Sequence, residues 1–172
     1  GSYTNIISGL QWCLDNGMQI INMSFGGSSF SQALSDICDK LNNAGILLVA
    51  AAGNSGGSIG QDTIGYPAKF GSVMAIAATD SNDARASFSS VGPELSVAAP
   101  GVNVPSTVPT GSCKLCDPSG YKSLSGTSMA TPHTAGTAVL VLKANPSFTN
   151  ADVRKAIETT TIDLGQQGHD DL

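Results

Sequence analysis

The apolar positions of this chain change period repeatedly within its first fifty-odd residues. From Thr4 to Asn16, Ile6, Ile7, Leu10, Cys13 and Leu14 recur near helical spacing, and Gly17 follows as a stop. Gln19 to Ser24 is short and apolar at Ile20, Ile21 and Met23, which predicts a buried strand broken by Gly26-Gly27. Helical spacing returns between Ser31 and Asn43 at Leu34, Ile37, Cys38 and Leu41, and Gly45 ends it. The stretch from Ile46 to Ala52 is unbroken apolar sequence, the pattern of a strand covered on both faces. Gly53-Asn54 stops it abruptly.

Helix, strand, helix, strand predicts an α/β fold, with a doubly wound, mostly parallel sheet and helices on both faces. Further strands are expected over Val73 to Ala78 and Leu95 to Ala99, and helices over Ser128 to Ala144 and Thr149 to Thr160. Thr149 is the better cap for the last helix than Asn150. Ser55 to Asp62 reads as a polar, Gly-rich loop, and Pro100 to Ser125, rich in Pro, Gly, Ser and Thr, as mostly loop. No repeat, low-complexity tract or linker divides the 172 residues, so one domain is expected.

Composition narrows the function more than the fold. Charged residues are 12% and hydrophobic ones 41%, which argues against disorder. The net charge is −5 and the eight basic residues are scattered, so there is no nucleic-acid footprint. No apolar run reaches about 18 residues, which gives no sign of a membrane span. Cys13, Cys38, Cys113 and Cys116 are too few for a disulfide scaffold. Cys113-Lys114-Leu115-Cys116 permits a local disulfide, free thiols or half a zinc site. With only two further cysteines and no nearby histidine, the disulfide is the preferred reading. Cys13 and Cys38 fall on apolar helix faces and are expected as buried free thiols.

Three segments carry candidate chemistry. Gly126-Thr127-Ser128-Met129-Ala130-Thr131-Pro132-His133 is a small-residue turn leading into a helix, with Pro132 in the first turn. A serine there sits where unpaired backbone N–H groups can face an anion. Ser128 is therefore a candidate nucleophile, although a serine at a helix start is more often a cap. Asn54 ends an apolar strand, and its amide can donate to an oxyanion; the plainer reading is a turn asparagine. Asn22-Met23-Ser24-Phe25-Gly26-Gly27 ends another strand, where backbone could pair with an extended peptide. An ordinary Gly-Gly turn is the alternative.

In collinear order, these segments resemble the subtilisin-like serine proteases, the subtilases. The likeness extends to Gly65-Tyr66-Pro67, Ala86-Ser87-Phe88-Ser89-Ser90 and Ala99-Pro100-Gly101. It implies Ser128 as nucleophile and Asn54 as side-chain oxyanion donor, joined by the Ser128 backbone N–H. Ser24, Phe25, Gly26 and Gly27 would form the edge that pairs with substrate. Ala51, Ala52 and Gly53 would wall the pocket for the residue before the scissile bond. Gly65 would line its bottom and leave it roomy for large apolar side chains. Met129 would be the family's oxidation-sensitive methionine. Carbonyls of Ala68, Phe70 and Val73 match a weak cation site of some relatives. Structural calcium is expected for the whole enzyme.

Two features depart from that pattern. The Asp and His of the catalytic triad, which come earlier in subtilases, have no counterpart here. His133 is no substitute, since the resemblance makes it structural and buried under the helix. His169, in a polar tail, is expected to face solvent. The chain thus reads as the C-terminal portion of one catalytic domain, inactive alone, with an N-terminal fragment as partner. A peptide or protein substrate, or a propeptide or inhibitor, would occupy the cleft. The resemblance implies secretion, or alternatively the intracellular subtilisin type. The competing function is a non-catalytic, peptide-binding subtilase-like domain. The second departure is the loop holding Cys113 and Cys116, which is longer than the usual pattern.

Overall fold

A computed structural model describes residues 2–58 and 60–164. The expected tail position of His169 lies outside those residues. Helix α1 spans Tyr3–Asp15, strand β1 Ile20–Met23, α2 Gln32–Asn43 and β2 Leu47–Ala51. Then come β3 Met74–Thr79, β4 Leu95–Pro100, β5 Val104–Thr107, β6 Tyr121–Leu124, α3 Thr127–Ala144 and α4 Asn150–Thr160. Serine hydroxyls cap the first two helices: Ser2 accepts from the Asn5 N–H and Ser31 from the Leu34 N–H. Thr149 caps α4 in a reciprocal box with Asp152. Among the described residues, no helix is long and apolar enough to cross a membrane.

Strands β1 to β4 form one parallel sheet in chain order. Side-chain alternation along β2 decides which helices cover which face. Leu48, Ala50 and Ala52 point into a core with Leu10 of α1 and Leu34, Ile37, Cys38 and Leu41 of α2. Leu47 and Val49 point the other way, into a core with Ala130, Ala135 and Ala138 of α3 and Val153 and Ile157 of α4. Helices therefore cover both faces, as the patterning predicts. The β2–β3 and β3–β4 connections contain no helix among the described residues, so only the β1–β2 crossover is helical.

The stretch from Pro100 to Ser125 is mostly loop, as expected, but it holds a short hairpin that the sequence does not announce. β5 and β6 pair antiparallel, from Val104 opposite Leu124 to Thr107 opposite Tyr121. Both strands are largely exposed and lack an apolar face, so no period-2 signal marks them. Cys113 and Cys116 are joined by a disulfide in the connecting loop. Cys13 and Cys38 are free thiols, but only Cys38 is fully buried; Cys13 is half-buried at the rim of its cluster. Burial, and secondarily the charge of Asp39, pushes the Cys38 thiol up from 9.0 to about 12.

Candidate active site

The parallel register brings the ends of β1 and β2 side by side, with Met23 opposite Ala50. In such sheets, the carboxyl ends of the strands are where ligands bind. β1 runs on into Ser24–Gly27, and β2 into Ala52, Gly53 and Asn54. Gly53 makes the turn at φ 121°, and a Cβ there would stand 2.8 Å from Ser90 Oγ. Only glycine meets both demands. Helix α3 starts at the same end. Gly101 lets it dock closely, since a Cβ on Gly101 would fall 3.2 Å from the Ala130 Cβ and 2.6 Å from the Ala78 Cβ.

Thr127 clamps Asn54. Its backbone N–H and its hydroxyl both donate to Asn54 Oδ1, at 2.9 and 3.0 Å. The same hydroxyl accepts the Gly53 N–H at 3.2 Å. A backbone N–H can only donate, so the amide oxygen must face Thr127 and Nδ2 must face away. Nδ2 lies above the Gly126 turn, 3.4 Å from where a Gly126 Cβ would be. Thr127 is fully buried. The sequence alone assigns it no role. Its partners lie 73 and 74 residues away, and nothing local distinguishes it from any threonine at a helix start.

Ser128 is the second residue of α3 and is half-buried. The cap is Gly126, so Ser128 does not cap the helix. Its hydroxyl donates to the Ser24 carbonyl at 3.0 Å. Its backbone N–H has no acceptor among the described residues, as expected of an N–H in a helix's first turn.

The other predicted site residues gather around this pair. Gly27 and Tyr66 exchange backbone hydrogen bonds of 2.9 and 2.8 Å, and the Gly65 N–H donates to the Ala52 carbonyl at 2.9 Å. These bonds stitch Ser24–Gly27, Ala51–Gly53 and Gly65 into one wall. A Cβ on Gly65 would stand 3.0 Å from the Gly27 carbonyl oxygen, so the two backbones approach closely at this position. Ala51 and Ala52 are buried, whereas Phe25 is 38% exposed. Ala68, Phe70 and Val73 lie in the turn after the cis Tyr66–Pro67 peptide, all three buried.

His133 is not buried. The sheet-facing residues of α3 are Thr127, Ala130, Thr131, Thr134, Ala135 and Ala138, and His133 lies off that face, exposed. Its Nδ1 lies 2.9 Å from the Met129 carbonyl oxygen, one turn back. Five residues of helix rotate it about 140° from Ser128, so it does not serve the serine as a base.

The parallel sheet brings the clamped asparagine and the serine at a helix start together at the carboxyl ends of its strands. A family profile described as the subtilase family matches residues 1–172, and the chain belongs to that family. It is 52% identical over 165 residues to subtilisin DY of Bacillus licheniformis, covering 96% of this chain and 57% of that protein. Subtilisin E of Bacillus subtilis (strain 168) is 48% identical over the same length, covering 96% of this chain and 41% of that protein. The crystal structure of a cold adapted subtilisin-like serine proteinase superposes with a TM-score of 0.79 at 34% identity. That match covers 92% of this chain and 55% of the other. The chain thus spans about half the length of the relatives it matches.

Proposed function

We propose that this chain supplies the nucleophile, the oxyanion donors and the acyl-side binding edge of a serine endopeptidase. The observation that carries this reading is the Thr127 clamp. It turns the Asn54 amide N–H away from Thr127 and leaves it unspent, and the Ser128 backbone N–H is likewise without an acceptor among the described residues. Ser128 Oγ attacks the peptide carbonyl and forms the Oγ–C bond. The hydroxyl proton passes to a histidine, which an aspartate orients. Both come from an N-terminal portion outside this chain. The carbonyl oxygen becomes an oxyanion between the two donors, which are fixed before the reaction begins. Collapse breaks the C–N bond, and the histidine returns its proton to the departing amine. Water then hydrolyses the acyl-enzyme by the same steps in reverse.

Substrate lies along Ser24, Phe25, Gly26 and Gly27, with its side chain between that segment and Ala51–Gly53, above Gly65. The test is labelling by a fluorophosphonate. Ser128 is expected to react in the protease that includes the N-terminal portion, and Ser128→Ala to abolish the label. The chain alone is expected to label very slowly. Absence of label on Ser128 in the intact protease would leave only the peptide-binding alternative.

The turn holding Ala68, Phe70 and Val73 fits a weakly held cation at best. Calcium takes six to eight oxygens. The Phe70 carbonyl already accepts the Val73 N–H at 2.9 Å. Glu94, which lines a cavity together with Phe70 and Val73, has its Oε2 buried without a hydrogen-bond partner and favours a cation. The Arg154 guanidinium opposes one, donating to the Gly71 carbonyl at 3.1 Å and to Ser96 Oγ at 3.2 Å. Among the described residues, no three acidic, histidine or cysteine side chains cluster to hold a metal. Tighter structural calcium is assigned to the rest of the enzyme. Secretion is proposed from the likeness to Bacillus subtilisins, and detection of the protease in culture medium tests it.

A further inference from the structure

Two short arms of chain meet at the proposed pocket. Gly53–Gly57 runs away from the end of β2, and Thr63–Gly65 returns to it, closed by the Gly65 N–H on the Ala52 carbonyl. Neither arm belongs to a helix or a strand. Both lie instead on one turn, Arg85–Val91. From the first arm, the Gly53 carbonyl accepts the Ser90 N–H at 3.0 Å, and the Gly56 N–H donates to the Phe88 carbonyl at 2.7 Å. The Ser55 N–H donates to Ser90 Oγ at 3.3 Å. From the second arm, the Thr63 N–H donates to the Val91 carbonyl at 2.7 Å, and Thr63 Oγ1 accepts the Val91 N–H at 3.0 Å. The Thr63 hydroxyl donates to the Gly56 carbonyl and so ties the arms to each other.

This supporting turn is itself fixed to the sheet. Ala78 of β3 donates its N–H to Ser89 Oγ at 3.0 Å, and its carbonyl accepts the Ala86 N–H at 2.8 Å. Ser89 and Ser90 are fully buried. Arg85 then reaches from the turn to the arm. Its Nη1 donates to the Ser89 carbonyl at 2.7 Å and its Nη2 to the Gly57 carbonyl at 3.1 Å. Arginine side chains are mostly exposed, whereas this one is half-buried. A guanidinium makes charge-assisted hydrogen bonds, and its planar fork suits two acceptors at a set separation. Gly57 is where the arm passes closest over the turn: at φ 142°, a Cβ there would stand 2.4 Å from Val91 Cγ2.

We propose that Arg85 is a positioning residue for substrate selection. By joining Gly57 to Ser89 it fixes the far end of the first arm, and with it the spacing of the two arms at the pocket. It acts through the backbone it holds and touches neither substrate nor the reacting atoms. Asn54 is held separately, through Thr127 on its side chain and Ser90 on the residues either side of it. The oxyanion donor therefore keeps its place without Arg85, and the effect falls on side-chain recognition rather than on bond making. A large apolar side chain gains from walls whose spacing is set before it binds; a methyl group barely does.

This inference rests on the protease reading, and the test separates the two. Arg85→Met, which keeps most of the stem and removes the fork, is compared with the parent sequence in the intact protease. Two peptide anilides are used that differ only in the residue before the scissile bond, phenylalanine in one and alanine in the other. Rates are normalised to the amount of Ser128 labelled by a fluorophosphonate, so that loss of folded protein cancels. The preference for phenylalanine over alanine in kcat/KM is expected to fall about tenfold, the worth of one hydrogen bond. The change should lie in KM for the phenylalanine substrate, with kcat for both within about twofold. Arg85→Lys keeps the charge without the fork and should lose about threefold in preference; it carries the test where Arg85→Met does not fold. A merely structural role would leave the normalised preference at the parent value, and that result overturns the proposal. Failure of both variants to fold would make Arg85 a folding residue and overturn it too. If Ser128 of the parent protease takes no label, the protease reading itself fails.

Discussion

At the scale of single residues, the geometry of the candidate site depends on Thr127, which fixes the Asn54 amide. Thr127→Val keeps the backbone N–H on Asn54 Oδ1 but removes the hydroxyl, and leaves the Gly53 N–H without its acceptor. The Asn54 amide then gains freedom to turn. In the intact protease we expect kcat to fall about tenfold with KM nearly unchanged, because in the proposed mechanism the amide is needed only as the oxyanion develops. Thr127→Ser should restore most of the loss. If it donates to the oxyanion as proposed, Asn54→Leu should cost about 10²–10³ in kcat, the magnitude found when an oxyanion donor is removed from a subtilisin. Ser128 and Asn54 were legible because a family pattern marks them. Thr127 was not, because its importance lies in bonds across 73 residues of chain. The exposure of His133 was hidden for a related reason: its burial depends on what packs outside α3. Cys38 gives a separate prediction. Its thiol, at about 12 in the fold against an ordinary 9.0, keeps its proton longer in the folded state than in the unfolded one. Unfolding lets it ionise from about pH 9 upward, so its contribution to stability is whole below pH 9 and is lost as pH rises toward 12. Thermal midpoints across that range should fall less steeply in Cys38→Ala than in the parent chain.

Elements came through in proportion to their burial. The helices and the sheet strands follow apolar periodicity and lie within a residue or two of expectation. The β5–β6 hairpin does not, since its strands bury little and are held by their pairing. Pro105 is tolerated there because only two strands are present and its missing N–H costs no inner ladder bond. The hairpin leads straight into the Gly126 turn before Ser128, yet it is pinned beneath its tip. The Gly126 N–H donates to the Gly101 carbonyl at 2.8 Å, and the Asn103 N–H to Ser125 Oγ at 2.9 Å. The disulfide closes only the loop from Cys113 to Cys116. Opening so short a ring should cost about 2 kcal/mol at most. The Cys113→Ser, Cys116→Ser double variant should therefore unfold at slightly lower urea concentration. Its rate of fluorophosphonate labelling in the intact protease should be unchanged. A slower label would mean that the tip reaches Ser128 through the hairpin.

For the molecule as a whole, helix α3 offers a face on which the proposed N-terminal portion could pack. One side of it packs on the sheet through Ala130, Ala135 and Ala138. The other side is also apolar, with Val139 54% and Leu140 70% exposed. A helix apolar all round is one built for burial. Strand β1 adds an open sheet edge, which usually invites a further strand. Both features agree with relatives about twice the length of this chain. The outer face of α3 is expected to lie against the portion that brings the Asp and His. Leu140→Glu puts a charge on that face while touching nothing in the present core. By itself the substitution should shift stability by no more than about 0.5 kcal/mol. Buried against the N-terminal portion, the same carboxylate would be desolvated without a partner, which costs several-fold more. The variant should therefore bind a separately expressed N-terminal portion at least about tenfold more weakly. Titration of the two pieces, followed by recovery of Ser128 labelling, measures this. Unchanged affinity would place the missing half elsewhere and leave the apolar face of α3 without its proposed cover.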